Sequence, residues 1–422
     1  MNNNVVTGDG AERGYLPLLG DEAGKIFNDL PDIVCLSHMR WDFVYQRPQH
    51  LMSRSACERR VFFVEEPVFG AAVPRLDISQ RDCGVIVATP HLPGDLDDAE
   101  IAAMEQTLLL GELFLERNIS DYILWYYTPM AVAFTWRLEP LAIVYDCMDE
   151  PPAFKSAPQS LKQREAELLS CADVVFTGGY SLYEAKRHLH PNIHPFPSGV
   201  DLEHFRKARN KTVDPDDQAG IGRPRLGFYG VIDERVDQEL LAGIADARPD
   251  WRLVMIGPVV NVDPAELARR PNIHYLGCKD YKDLPAYLSG WDIAMAPFAR
   301  NESTTRISPA EIPEYLVAGV PTISTSIRDV EHPYGQQGLV KIADTPAEFV
   351  AAAEYLMGPG INYDYTAWLN HVDETLSSNS WDGAWARMMR LIDLTIENRY
   401  PDMFFTKSAA ASAGQSTNFT DA

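Results

Sequence analysis

The chain has 422 residues, of which 37 are basic and 60 acidic, giving a formal charge of −23, and 46% of it is hydrophobic. That length suits two domains of ordinary size, and no window reaches the ~18 uninterrupted apolar residues of a membrane-spanning helix. The acidic excess disfavours nucleic acid and broad anionic-lipid surfaces, but it leaves room for a local diphosphate pocket, which needs only one or two cations and backbone N–H groups.

The N-terminus, MNNNVVTGDGAERG, lacks the charged start and apolar core of a secretory signal, so a cytoplasmic protein is expected. Residues 1–28 read as a mobile segment without apolar periodicity, and 403–422 as a mobile, small-residue tail. From 29 to 206, apolar runs of strand length alternate with helical patterns: DIVCLS, the helix RPQHLMSRSACE, RVFFVEEP, GVIVATP, YILWYYTP, AIVYDCMD, DVVFTGG and IHPFPSG. That alternation predicts a Rossmann-like α/β domain on a parallel sheet. Six cysteines, Cys35, Cys57, Cys83, Cys147, Cys171 and Cys278, have no metal or redox spacing and read as reduced, mostly buried thiols.

Residues 207–224, rich in Pro, Gly and charge, break the pattern and read as a linker. The alternation restarts over 225–365 with RLGFYGV, RLVMIGP, NIHYLG, WDIAMAPF, VPTIST and LVKIA, which predicts a second doubly wound sheet. Ligands of such sheets bind outside the carboxyl ends of the strands, so the site should lie in a cleft facing the first domain. Helices are expected over 366–402, where Trp381, Trp385, Met388, Met389 and Ile392 recur as one face of a helix and read as core packing.

The segment Asp292 to Ser326, DIAMAPFARNESTTRISPAEIPEYLVAGVPTISTS, resembles the family-four group of GT-B glycosyltransferases, as do FPSGVDLEHF at 196–205 and FYGVIDERVD at 228–237. More narrowly, LSHMRWDFVYQRPQHLMSR and VYDCMDE resemble a bacterial subgroup for teichuronic-acid and other surface-polysaccharide synthesis, over about 32–400. The resemblance implies two Rossmann-like domains facing a cleft, with the C-terminal helix returning to the first. It also implies a nucleoside-diphosphate sugar as donor, a glycan or lipid-linked acceptor, no cofactor, and transfer with retention and without metal. A lipid-linked acceptor leaves peripheral membrane contact open.

By the same resemblance, Glu314 opens a helix that approaches the donor ribose and phosphates, and Arg235 meets the diphosphate. Gly230, Gly257, Pro297, Arg306 and Ser308 complete the donor side, and His38, Arg40, Trp41, Gln46 and Arg47 form the acceptor side. The residue chemistry agrees, since carboxylates near a helix start accept ribose hydroxyls and a guanidinium grips phosphate bidentately. The bland alternatives are a first-turn carboxylate for Glu314 and a solvated helix-start cation for Arg235. Asp146, Asp149 and Glu150 follow a strand, so Asp146 and Asp149 are catalytic candidates for orienting an acceptor, with helix capping an equal reading of Asp149.

Asp95 to Asp97 and Asp214 to Asp216 match D-x-D formally but lie in polar loops and read as solvated turns, so no metal is expected. The chain departs from the family pattern where Glu311 replaces a lysine, Thr305 an arginine and Val231 an arginine. Charge reversal at Glu311 should repel a diphosphate by roughly 1 kcal/mol in water and several times that in a cleft. Two other functions share the fold: a transferase fold retained for binding without turnover, and a nucleotide-sugar 2-epimerase.

Overall fold

The computed structural model describes residues 30–94, 99–150, 160–210, 213–263, 265–358 and 364–401. The expected mobile ends and the Asp95 to Asp97 motif lie outside these residues.

The first sheet contains β1 (Asp32–Leu36), β2 (Val61–Val64), β3 (Val68–Ala71), β4 (Arg75–Gln80), β5 (Ile86–Pro93), β6 (Tyr122–Tyr126), β7 (Ala142–Cys147), β8 (Val174–Thr177) and β9 (Ile193–Pro195). Its order is β3-β5-β2-β1-β6-β7-β8-β9, with β4 paired to β5. The central strands are uninterrupted apolar runs because helices cover both faces of the sheet. Ile33, Cys35, Trp125, Val144 and Phe176 pack on one face, and Val34, Leu36, Leu124, Tyr145 and Val175 on the other. Neighbouring strands are parallel except β4, which runs antiparallel to β5, so the sheet is mixed where a wholly parallel one was expected. In β4 only Leu76 and Ile78 alternate among polar residues, as befits an exposed edge strand.

The second sheet, β10 (Arg225–Tyr229), β11 (Arg252–Ile256), β12 (Ile273–Gly277), β13 (Ile293–Ala296), β14 (Thr322–Ser324) and β15 (Val340–Ile342), is wholly parallel in the order β12-β11-β10-β13-β14-β15. In sequence terms that is 3-2-1-4-5-6, and the strand order reverses between β10 and β13, the position at which sheets of this kind form a ligand crevice. The corresponding reversal in the first sheet lies between β1 and β6.

The described residues of the expected linker, 207–224, are fastened to the second domain. Arg209 pairs with Asp373 at 2.8 Å, and Gln218 is fully buried, accepting from Trp291 Nε1 at 2.9 Å. Asp214 takes the Arg225 guanidinium at 2.7 Å, an ion pair rather than a solvated turn.

The helix α1 (Arg47–Ser55) follows β1, and the last two helices separate. Tyr365–Leu376 packs Val372 and Leu376 into the second domain's core, while Trp381–Arg399 crosses back to the first. There Trp381, Met388, Ile392 and Ile396 cover β1, β6, β7 and β8, as the apolar spacing and the fold implied. All six cysteines are free, but only Cys35 and Cys147 are buried; Cys57, Cys83, Cys171 and Cys278 are exposed, contrary to expectation. The exposed four sit in turns, at a helix end or just past a strand, outside the apolar strand runs. Among the described residues no helix is long and apolar enough to cross a membrane.

Candidate active site

The carboxyl ends of β10 and β13 supply the crevice of the second sheet. After β10 comes Gly230, with φ of +150°, and after β11 comes Gly257, with φ of +133°. These dihedrals suit glycine, and a Cβ on Gly257 would also run into the Gly230 carbonyl, so the two loops can touch only as bare backbone. Pro297 follows β13 and is buried, and its carbonyl accepts Asp237 N at 2.8 Å, tying the Arg235 loop to that strand.

Glu314 is tied to the carboxyl end of β10. The helix that carries it, Glu311–Val317, begins three residues earlier than expected, so Glu311 and not Glu314 opens it. Ala310 offers no capping side chain, and Pro313 is tolerated because first-turn N–H groups have no helical partner. Tyr229 Oη donates to Glu314 Oε2 at 2.6 Å. Burial raises the Glu314 carboxyl to about 8, opposed by the Tyr229 hydrogen bond and reinforced by the Glu311 and Asp201 carboxylates.

Arg235 lies on the same side, its Nη2 2.8 Å from Asp233 Oδ2 and its Nε 3.0 Å from Asp233 Oδ1. Burial works against its charge, but the Asp233 hydrogen bonds and the Asp149 and Glu311 carboxylates outweigh that and raise its pKa. Glu311 borders Gly230, where a Cβ would meet Glu311 Oε1 at 2.9 Å. Burial raises the Glu311 carboxyl, its backbone hydrogen bond and Arg235 oppose this, and Asp149 and Asp233 add to it. The reversed charge at this position is thereby pushed toward its neutral form.

From the first sheet, His38 follows β1 at the strand-order reversal and is exposed to the cleft. The enclosing walls lower its pKa, against the pull of the Asp149 carboxylate and a backbone hydrogen bond to Tyr127. Asp149 thus acts electrostatically on His38, Arg235 and Glu311 together, linking the two domains across the cleft. Arg306 Nη1 reaches Glu150 Oε2 of the first domain at 3.1 Å, and Glu150 also binds Lys186 Nζ at 2.9 Å. Ser308 lies against Gly179, where a Cβ would approach Ser308 Cβ to 2.7 Å.

Five expected residues have other surroundings. Arg47 and Asp146 are a buried ion pair, 6% and 0% exposed, with Arg47 Nε 3.0 Å from both Asp146 oxygens and Nη1 2.6 Å from the Phe196 carbonyl. Trp41 is 8% exposed, packed edge-on against Phe63. The Gln46 amide donates to Gln49 Oε1 at 3.0 Å, closing the start of α1. Arg40 holds Glu65 at 3.0 Å and the Glu66 carbonyl at 2.6 Å, away from the Asp149 group.

Sequence reasoning missed Tyr229, Asp233 and Asp329. Asp233 is two residues from Arg235, a spacing that local pairing uses. Asp329 is visible only in three dimensions: it accepts from the backbone N of Ser181 at 3.0 Å and from Ser181 Oγ, capping the helix Tyr180–Lys186 of the other domain. The helix's own N-cap, Gly179, contributes no side chain. Asp329→Ala should remove a cap worth ~1 kcal/mol, so the Ser181 amide should exchange its hydrogen several times faster by mass spectrometry, with the neighbouring β8 amides unchanged.

Residues 223–358 match the family described as glycosyl transferases group 1. The chain is 26% identical over 292 residues to TuaH of Bacillus subtilis (strain 168), named for teichuronic acid biosynthesis, covering 63% of this chain and 70% of that one. Among solved structures, sucrose-phosphate synthase from Thermosynechococcus elongatus superposes with a TM-score of 0.65 at 13% identity, over 86% of this chain and 99% of that one. HepE of Anabaena, in complex with UDP and glucose, gives 0.60 at 12% over 86% and 99%. The chain has the GT-B fold, and its second sheet carries a glycosyl transferases group 1 domain.

Proposed function

We propose that the chain transfers a sugar from a nucleoside diphosphate to a glycan or lipid-linked acceptor during surface-polysaccharide synthesis, with retention and without a metal. In this reading 225–365 binds the donor and 29–206 the acceptor. The reaction takes place in the cytoplasm, with membrane contact if the acceptor is lipid-linked. The observation that carries it is the convergence of Gly230, Gly257, Glu314 and Arg235 at the β10/β13 crevice of the second sheet. The name of TuaH supports the polysaccharide context, and UDP in HepE supports the donor class.

Bare backbone at Gly230 and Gly257 lets a diphosphate approach N–H groups closely. Glu314 would take ribose hydroxyls, and Arg235 with Arg306 would meet the charge that develops on the leaving diphosphate. His38 and Asp149, both on the first domain's side of the cleft, would orient the acceptor hydroxyl. Asp146 is not carried forward as a catalytic group, because Arg47 occupies both of its oxygens.

The test is consumption of a nucleotide sugar with and without acceptor. Transfer supports the proposal; an epimerised donor formed without acceptor would select the 2-epimerase. A second reading, binding without turnover, is favoured by the crowding of Asp149, Asp233 and Glu311 around Arg235. Binding of a nucleotide sugar with no turnover under any acceptor would establish it. Glu311→Lys restores the family charge and should tighten diphosphate binding about tenfold or more, the equivalent of gaining an opposite-charge contact in a cleft; calorimetry that finds weaker binding would show that Glu311 itself contributes to the site.

A further inference from the structure

A cavity of about 330 Å³ lies away from the Asp149 group, lined by Arg40, Glu65, Val68, Ile78, Thr89 and His91 among others. Arg40 follows β1 and Glu65 follows β2, while Thr89 and His91 stand on the part of β5 that extends past the end of β2, whose last residue Val64 pairs with Ala88. The cavity therefore opens on the carboxyl edge of the first sheet, the edge that also carries His38. It is displaced from β1 by two strand positions, roughly 10 Å, which is further than one sugar ring reaches.

Its polar groups are held in place by one another. Glu65 accepts Arg40 Nη1 at 3.0 Å, Thr89 Oγ1 at 2.8 Å and the Trp41 amide at 2.8 Å, while His91 Nε2 stands 2.9 Å from Asp77 Oδ2. Two carboxylates against one guanidinium and one imidazole leave no net positive charge, which disfavours phosphate and uronate ligands. Hydroxyls, a guanidinium and carboxylates offer both donors and acceptors, and Val68 and Ile78 add an apolar wall. Fixed donors and acceptors beside a small apolar surface fit an uncharged pyranose, with hydroxyls on its rim and C–H groups on its faces.

We propose that this cavity is a distal acceptor subsite, holding an uncharged sugar unit of a glycan whose growing end lies at His38. The inference rests on the transferase reading above and deepens it: the acceptor is an oligosaccharide, gripped more than one unit from the reacting hydroxyl.

The test is calorimetric titration of the full chain with maltotetraose, cellotetraose and tetra-N-acetylchitotetraose, with tetragalacturonate as the charged comparison. Two variants, Val68→Trp to fill the cavity and His91→Ala to remove a polar wall, are titrated alongside, and UDP, GDP, dTDP and ADP are titrated on every sample. The expected result is binding of at least one neutral tetrasaccharide, weakened tenfold or more by Val68→Trp and severalfold by His91→Ala, with nucleotide affinity unchanged. The proposal is overturned if no neutral tetrasaccharide binds, if Val68→Trp leaves binding intact, or if tetragalacturonate binds more tightly than the neutral sugars. Failure of the transferase reading would register separately, as a chain that binds no nucleotide.

Discussion

Asp146→Ala is expected to destabilise the protein by about 3–5 kcal/mol, because it strands the Arg47 guanidinium without its counter-charge in a buried site. Asp146 has no exposed surface and Arg47 has 6%, with Phe196 O and Met388 Sδ as the other hydrogen-bond partners of its head group. The pair joins α1 to β7, β9 and the returning C-terminal helix, so its loss should be felt across the first domain. The paired replacement Arg47→Met with Asp146→Leu removes both charges at similar volume and should recover most of the loss, since a buried ion pair is frequently no better than good apolar packing. Urea unfolding of the three variants measures this, and nucleotide-sugar turnover by the double variant adds a second reading. A stable Asp146→Ala protein without turnover would return Asp146 to the catalytic group.

Glu314→Gln is expected to be progressively more stable than the parent as pH rises from 5 to 9. The usual glutamate value is 4.5, and burial raises Glu314 to about 8 in the folded chain. A folded-state value above the unfolded one means that the folded chain favours the protonated carboxyl. Its stabilising contribution is therefore complete below 4.5 and is lost as pH climbs through about 8. The gap corresponds to at most about 5 kcal/mol. The amide introduced by Glu314→Gln would keep a hydrogen-bonding partner for Tyr229 Oη and cannot ionise, so this contribution should be missing from the variant's pH profile. Identical pH profiles for the two proteins would contradict this. If ribose hydroxyls donate to the carboxylate, nucleotide binding should also release a proton near neutral pH, detectable as a binding enthalpy that depends on the buffer's ionisation enthalpy.

The architecture was legible in the sequence because it rests on local signals: apolar runs such as YILWY and RLVMI, glycines where strands end, and the one-sided spacing of Trp381, Met388 and Ile392. Strand β4 was not, since two apolar residues among polar ones are too few to separate an edge strand from a loop. The start of the Glu314 helix was missed because Ala310 gives no capping signal. The site was half legible. Gly230, Gly257 and Arg235 could be read from the family resemblance together with their place after strands, but Arg47 read as an acceptor contact only because its partner lies 99 residues further on. Glu150 with Arg306 and Asp329 with Ser181 join the two domains, and no local pattern encodes such pairs.

The central claim, that the β10/β13 crevice is a nucleotide-sugar donor site, is tested most directly by calorimetric titration with UDP, GDP, dTDP and ADP, repeated on Glu314→Ala and Arg235→Ala. One nucleotide should bind, and each variant should weaken it at least about tenfold, the loss of a charge-assisted hydrogen bond. Absence of binding by all four, or affinity in both variants unchanged from the parent, would contradict the claim and leave the fold without its donor.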